Sequence, residues 1–309
     1  MKILFISLGC DKNLADSEEM LGLLTGSGHE IVDSEEEADA IVINTCCFIH
    51  DAKEESVNTI LEMAEYKKTG SCKALIVTGC MAQRYKEEIT QEIPEVDAVL
   101  GTTSYGDIVK ALNEAQAGNV FQEFRDINEL PEDSGRRVLT TGGHFGYLKI
   151  AEGCDKHCTY CIIPSLRGRF RSVPEERLLA QAEYMASQGV KELILVAQET
   201  TVYGTDLYGK KTLHILLKKL CQIKGIRWIR VLYCYPEEIY DELVQVMKEE
   251  KKICNYLDLP IQHASDRILK RMGRRTTRKQ LEDIIAKLRR EIPDLSLIHI
   301  SEPTRLLSI

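Results

Sequence analysis

Cys154, Cys158 and Cys161 stand in the stretch EGCDKHCTYCIIPSLRGRF, residues 152–170, as a C-x3-C-x2-C run. Thiolates are soft ligands that suit iron–sulfur clusters, zinc and Cu(I). A 4Fe–4S cluster normally takes four protein thiolates. Only three lie together here, which would leave one iron open to a substrate or cofactor. Core cysteines would follow a strand or helix period among apolar neighbours. These three sit among Asp155, Lys156, His157 and Thr159. Zinc would need His157 as its fourth ligand, immediately beside Cys158, and adjacent ligands suit a tetrahedral site poorly.

Three further cysteines share a different regularity. Leu8-Gly9-Cys10, Asn44-Thr45-Cys46 and Thr78-Gly79-Cys80 each follow a short apolar run. Those runs are Lys2–Ser7, Ala40–Asn44 and Lys73–Thr78, each read as a buried strand. Helical spacing follows each, over Asn13–Leu24, Asp51–Tyr66 and Met81–Ile89. A fourth strand over Val96–Leu100 and a helix from Tyr105 to Gln116 complete the pattern. Alternating strands and helices imply a parallel sheet with helices on both faces, a Rossmann-like α/β domain. Parallel strands end on one edge, where ligands bind in open α/β folds. Cys10, Cys46 and Cys80 are therefore expected to converge as ligands of a second cluster. Cys47 points elsewhere in this reading, and Cys72 precedes its strand, so both are expected to be non-ligands.

Residues 119–143 are polar and rich in Gly, Ser and Pro, which reads as a linker, with a short strand around Val138–Thr140. The organisation expected is then 1–118 as an α/β domain, 119–143 as linker and 144–297 as a second βα array. In that array Tyr147–Ala151 delivers the cysteine loop. Ser172–Gly189 reads as a helix with Ser172 as its cap and Pro174 in its first turn. Strands are expected over Leu193–Ala197, Trp228–Tyr233 and Tyr256–Ile261. Helices are expected over Leu213–Cys221, Pro236–Glu250, Ser265–Arg271 and Thr277–Glu291. This repetition fits a partial TIM-like barrel, whose chemistry sits at the C-terminal strand ends. That rule selects Gln198, Glu199 and Thr200, then Tyr235, then Gln262 and His263. Arg167, Arg169 and Arg171 alternate along one extended edge and form a basic feature beside the loop. A second basic run, Lys270 to Lys279, reads as a solvated helix face or a contact with ribosomal RNA. Cys221, Cys234 and Cys254 have no ligand spacing and read as packing residues.

Composition sets the outer bounds. The chain has 309 residues, a net charge of −8 and eleven cysteines. The charge argues against a general nucleic-acid binder. No apolar run reaches the length of a membrane span. Met1–Ser7 leads straight into a strand pattern without a basic leader, so a cytoplasmic location is expected. Many cysteines in that compartment indicate metal or catalysis rather than disulfides.

The C-x3-C-x2-C run, with Tyr160 before its last cysteine, resembles the signature of radical S-adenosylmethionine (SAM) enzymes. Residues 1–295 as a whole resemble the methylthiotransferases. Within them SLGCDKNLADSE, NTCCFIHDAKEES, TGCMAQRY, YLKIAEGCDKHCTYCIIPSLRGRFRS and YLDLPIQHASDRILKRMGRRT resemble the RimO type. The tRNA-modifying MiaB type typically has Gln-Met-Asn where this chain has Asp11-Lys12-Asn13. The family more often has Asp where Glu199 stands. The resemblance implies two 4Fe–4S clusters, one on Cys154, Cys158 and Cys161 with S-adenosyl-L-methionine on its open iron, one on Cys10, Cys46 and Cys80. The first would generate a 5′-deoxyadenosyl radical, and the second would hold a sulfur that becomes the methylthio group. Gln198, Glu199, Gln262, His263 and Arg167 become candidate contacts to SAM or substrate. The implied substrate is an aspartate β-carbon of small-subunit ribosomal protein number twelve. The implied partners are a reductant such as flavodoxin or ferredoxin and a sulfur donor. The alternatives are a tRNA (N6-isopentenyladenosine) methylthiotransferase and a non-enzymatic iron–sulfur or zinc module. After Leu297 the sequence leaves the family: residues 298–309, IHISEPTRLLSI, resemble translated sequencing-adapter sequence, so an artefactual tail on a truncated barrel is expected.

Overall fold

The computed structural model describes residues 1–132, 135 and 137–301, with side chains described through residue 297. It separates into two compact units, Met1–Thr140 with Ser165–Gly168, and Thr141–Pro164 with Arg169 onward. The first unit carries strands β1 (Lys2–Ser7), β2 (Glu30–Val32), β3 (Ala40–Thr45), β4 (Ala74–Gly79), β5 (Ala98–Leu100) and β6 (Phe121–Glu123). They form one parallel sheet in the order β2-β1-β3-β4-β5-β6. Its helices are α1 (Asp11–Gly26), α2 (His50–Thr69), α3 (Cys80–Glu92) and α4 (Ile108–Gln116).

The central strands β3 and β4 are buried along their whole length. This explains their unbroken apolar runs, AIVINT and ALIVTG, since both faces are covered. Ile3, Val42, Ile76 and Leu100 on one face pack with Met20 and Leu24 of α1 and with Ile108 and Leu112 of α4. Helix α2 packs against β3 and β4. The expected α/β fold is present, and it has two strands more than expected. β2 (EIV) and β6 (FQE) are three residues long and only partly buried, so neither carries the apolar run that marks a central strand.

Part of the stretch read as a linker is structured. β6 lies in it, whereas no strand forms at 138–140. Residues 137–140 instead wrap around the buried Glu18 of α1. Arg137 Nε donates to Glu18 Oε2 at 2.8 Å, the Thr140 N–H to Oε1 at 2.7 Å, and the Thr140 hydroxyl to Oε1 at 2.9 Å. The Val138 N–H donates to the Glu18 carbonyl at 3.0 Å. Ser134 lies outside the described residues.

The second unit holds β7 (Phe145–Lys149), a small antiparallel ribbon of β8 (Ala151–Glu152) and β9 (Arg171–Ser172), then β10 (Glu192–Val196), β11 (Trp228–Val231), β12 (Ile253–Gln262) and β13 (Ser296–Ser301). The larger strands form a parallel sheet in sequence order, β7-β10-β11-β12-β13. Its helices are α5 (Ile163–Arg167, whose last three residues belong to the first unit), α6 (Glu175–Ser187), α7 (Thr205–Tyr208), α8 (Leu213–Cys221), α9 (Asp241–Glu249), α10 (Asp266–Arg271) and α11 (Arg278–Glu291). Strand order following chain order is the signature of a βα array curling toward a barrel.

Three local expectations are corrected. Ser172 does not cap α6: it pairs in β9, and its hydroxyl donates to Asp206 Oδ1 at 2.6 Å, while Pro174 takes the N-cap position. The helix expected from Pro236 to Glu250 is a single 3-10 turn, Pro236–Glu238, followed by α9. Arg167 is not on an extended edge, because it ends α5. Strand β13 continues through residues 298–301 of the expected tail, and 302–309 lie outside the described residues.

Glu18 is fully buried, and removing one partner of a buried ion pair strands the other. Glu18→Ala is expected to lower stability by about 3–5 kcal/mol in urea unfolding, and Glu18→Gln by less, because the amide still accepts from Thr140.

Candidate functional site

Strands β1, β3 and β4 are neighbours and parallel, so their C-terminal ends share one edge. Each is followed at once by a candidate cysteine. Cys10 stands before α1, Cys46 follows β3, and Cys80 opens α3. Two of the three connections need glycine. Gly9 and Gly79 both have φ of +92°, in the left-handed region. A Cβ on Gly79 would lie 2.5 Å from the Thr45 carbonyl oxygen, and one on Gly9 would lie 2.7 Å from Cys46 Cβ. The chain therefore reverses tightly at two of the three strand ends, and Cys10 and Cys46 lie near enough to Cys80 to act on its charge.

The Asn13 side chain ties these ends together. Its Nδ2 donates to the Leu8 carbonyl at 3.1 Å and to the Thr45 carbonyl at 3.0 Å. Its Oδ1 accepts from Cys80 Sγ at 3.8 Å. Ser56 accepts from the Cys46 N–H at 3.0 Å and donates to the Cys46 carbonyl at 2.8 Å. Cys46 and Cys80 are buried, and Cys10 is exposed. Burial pushes the Cys80 thiol up to about 12, with the Arg167 charge and hydrogen bond acting the other way. Burial likewise raises Cys46. Iron would reverse that balance, since a coordinating thiol is deprotonated outright.

Cys47 is turned aside, with its Sγ donating to the Cys80 carbonyl at 3.3 Å. Cys72 bonds the Ala74 carbonyl at 3.4 Å. In the second unit Cys234 is fully buried and lies 3.5 Å from the Thr200 hydroxyl. Thr200 also donates to the Leu232 carbonyl at 2.7 Å, so its hydroxyl serves the sheet.

The second set of thiols follows β7 and β8. Cys154 and Cys158 line a cavity of about 480 Å³ together with His157, Phe170, Glu199, Tyr235, Glu238 and Arg274. The loop is braced from the segment after α10. The Thr159 N–H donates to the Met272 carbonyl at 3.1 Å, and a Cβ on Gly273 would lie 2.7 Å from the His157 carbonyl oxygen. The Cys161 N–H donates to the Cys158 carbonyl at 3.0 Å, and the Lys156 N–H to Cys154 Sγ at 3.4 Å. Burial pushes the Cys154 thiol up to about 12. Among the described residues, no three Cys, His, Asp or Glu side chains are gathered closely enough to hold a single metal ion.

Of the polar residues expected at the other strand ends, Glu199 and Tyr235 line the cavity, and Gln198, Gln262 and His263 do not. Glu199 follows β10 and is nearly fully buried. Thr201 donates to its Oε1, while Oε2 has no hydrogen-bond partner. Gln198 Oε1 and Gln262 Oε1 are also buried without a partner, and Gln262 has φ of +64°. His263 Nδ1 accepts from the Ser265 N–H at 2.8 Å. Arg167, a candidate contact to SAM or substrate, is buried in the first unit against Asp16 and Asn13.

Arg274 is the residue that pattern reading missed. Its guanidinium is buried, 4.4 Å from the Tyr235 ring centre and 3.1 Å from Glu237. Its Nη2 donates to the Pro260 carbonyl at 3.0 Å, while Nε and Nη1 have no partner. The basic run from Lys270 hid it. The available signal was the alternation of Met272, Arg274 and Thr276, all buried, with Gly273 and Arg275 exposed. Lys156 and Lys211 both pair with Glu238, leaving a cavity wall with charges of both signs. Three thiols with no fourth, beside buried donors and acceptors that lack partners, fit a cluster with an open iron and a polar ligand on it.

Residues 2–101 match the model of Uncharacterized protein family UPF0004, and residues 148–301 match that of the Radical SAM superfamily. A ribosomal protein uS12 methylthiotransferase RimO of Lachnoclostridium phytofermentans is 67% identical over 297 residues, covering 96% of this chain and 68% of that protein. The chain belongs to the RimO family of methylthiotransferases. A RimO of Clostridium botulinum is 53% identical, over 95% of this chain and 66% of its own length, so the chain spans about two thirds of these relatives. The RimO family makes it a transferase of the radical SAM type. Among solved structures, the radical SAM methyltransferase TsrM from Kitasatospora setae, with tryptophan and a SAM analogue bound, has a TM-score of 0.66 at 12% identity, over 97% of this chain and 67% of that one. The cobalamin-dependent radical enzyme OxsB has a TM-score of 0.62 at 16% identity, over 96% of this chain and 48% of that one. Both likenesses establish the fold.

Two outcomes follow from the geometry. Gly79→Ala forces an L side chain into a left-handed turn against backbone, and a loss of about 1–3 kcal/mol is expected in denaturant unfolding. Glu199 is raised by burial from 4.5 to about 8. Between those values the folded chain keeps a proton that the unfolded chain has released, so stability declines as pH rises through that window. Glu199→Gln is expected to flatten that decline, read from urea midpoints at about pH 5 and about pH 8.

Proposed function

We propose that the chain is the catalytic part of a methylthiotransferase that acts on an aspartate β-carbon of ribosomal protein uS12, using two 4Fe–4S clusters and SAM. The observation that supports this reading is that each unit carries a set of three cysteines on the C-terminal side of its parallel strands, one after each of β1, β3 and β4 in the first unit and all in the loop after β7 and β8 in the second. Cys154, Cys158 and Cys161 would hold the cluster that meets SAM. Cys10, Cys46 and Cys80 would hold the cluster that carries sulfur. When bound, these groups supply one-electron chemistry able to remove hydrogen from an unactivated carbon, which no ordinary side chain can do.

The residues around the cavity have separate tasks. Glu199 Oε2, on a residue that lines the cavity, is a buried acceptor suited to the ammonium or hydroxyl groups of SAM, and the Gln198 and Gln262 amide oxygens are further buried acceptors at strand ends outside the lining. Arg274 offers two buried N–H groups to a carboxylate. Tyr235, stacked against Arg274, and Phe170 give the cavity part of its apolar surface. His263 is held by the Ser265 N–H at one ring nitrogen. A reductant protein and a sulfur donor complete the reaction, and the exposed Lys270, Arg271, Arg275 and Lys279 suit a contact with ribosomal RNA. No helix among the described residues is long and apolar enough to cross a membrane. A ribosomal substrate places the reaction in the cytoplasm.

Anaerobic reconstitution tests the ligand sets. About eight irons and eight sulfides per chain are expected, and about four of each after alanine replaces either set of three cysteines. Zinc without sulfide would overturn the reading. For the substrate, the full-length protein with SAM and reductant is expected to add one methylthio group to uS12, seen by mass spectrometry. Modification of isopentenyl-tRNA with uS12 unchanged would transfer the assignment to the MiaB type.

A further inference from the structure

The place of Arg167 is unexplained by any role at SAM. It ends α5 and is 2% exposed. Its Nη1 lies 2.8 Å from Asp16 Oδ2, and its Nη2 donates to Asn13 Oδ1 at 2.5 Å. Both partners belong to the first turns of α1, the helix that begins directly after Cys10. Asn13 is the residue whose amide nitrogen is already committed to the Leu8 and Thr45 carbonyls, just ahead of Cys10 and Cys46. Those two bonds fix which end of the amide is oxygen. That oxygen is shared by Arg167 Nη2 and Cys80 Sγ, the latter at 3.8 Å. One acceptor thus brings the guanidinium to the thiol.

The electrostatic arrangement is directional. A guanidinium does not lose its proton in a protein, so Arg167 is a permanent positive charge. Asp16 neutralises its far side and is itself only 3% exposed, which makes the pair affordable in a buried place. The positive charge acts on Cys80 and Cys46, and the negative partner belongs to α1. Net charge and hydrogen bonds to the sulfurs are two of the means by which a protein sets the potential of an iron–sulfur cluster.

We propose that Arg167 is a positioning residue for the second cysteine set, holding a fixed positive charge beside Cys80 and thereby raising the reduction potential of the cluster there. The proposal rests on the reading of Cys10, Cys46 and Cys80 as cluster ligands. Asp16 and Asn13 are the brace: one holds a guanidinium arm by charge, the other sets the distance to the sulfur. A lysine would keep the charge without the two-armed grip.

The test uses the chain with Cys154, Cys158 and Cys161 replaced by alanine, so that one cluster remains, reconstituted anaerobically and titrated for its midpoint potential by electron paramagnetic resonance. Arg167→Gln is expected to shift the midpoint downward with iron and sulfide content unchanged, and Arg167→Lys to restore part of the shift. Arg167→Gln alone leaves Asp16 as a buried unpaired charge and can fail to fold. The pair Asp16→Asn with Arg167→Gln removes both charges, and a lower midpoint is expected there too, because the nearer charge was the positive one. An unchanged midpoint in a cluster-loaded Arg167→Gln or double variant overturns the role of Arg167. A parent that binds no iron overturns the ligand reading itself.

Discussion

Parallel strands deliver all their C-terminal ends to one edge, and both units of this chain place thiols there. In the first unit three neighbouring strands each release a cysteine at that edge. In the second, the cysteine loop follows β7 and β8, Glu199 follows β10, Tyr235 follows β11, and Gln262 ends β12. Nothing else in the sequence could gather residues so far apart. The first sheet also buries both faces of its central strands, so the edge is where polar side chains can stand without unmaking a core.

That edge imposes electrostatic conditions of its own. Burial opposes ionisation of Cys80, Cys154 and Glu199 alike. The chain answers with donors near the thiols: Arg167 beside Cys80 and the Lys156 N–H at Cys154. It leaves several buried polar atoms without partners around the second set, an arrangement that costs stability unless a ligand completes it. The turns that make the edge are costly too, which is why Gly9 and Gly79 stand immediately before two of the cysteines.

Much of this was legible in residue order. Long apolar runs marked the central strands because a strand covered on both faces has no polar alternation to blur it. Cysteines immediately after those runs marked the edge. The short strands β2 and β6 were not legible, since three half-buried residues carry no period. Arg167 and Arg274 were visible as basic residues but not as buried ones. Their burial depends on partners distant in sequence, Asp16 for one and Tyr235 with Glu237 for the other. Ser172 looked like a helix cap because Ser is a favoured N-cap residue and Pro174 fits a first turn, but Asp206, 34 residues away, takes its hydroxyl.

The clasp of residues 137–140 on Glu18 has a bearing on how this architecture can be divided. A cut placed by composition, where the polar stretch begins near Asn119, would remove β6 from the sheet edge and strip a buried carboxylate of Arg137 and Thr140. A cut after Thr140 would keep that clasp, but it would still remove Ser165–Gly168 from the first unit and leave the buried Asp16 without Arg167. The first unit is therefore discontinuous in sequence, and no single joint in the chain exchanges it whole.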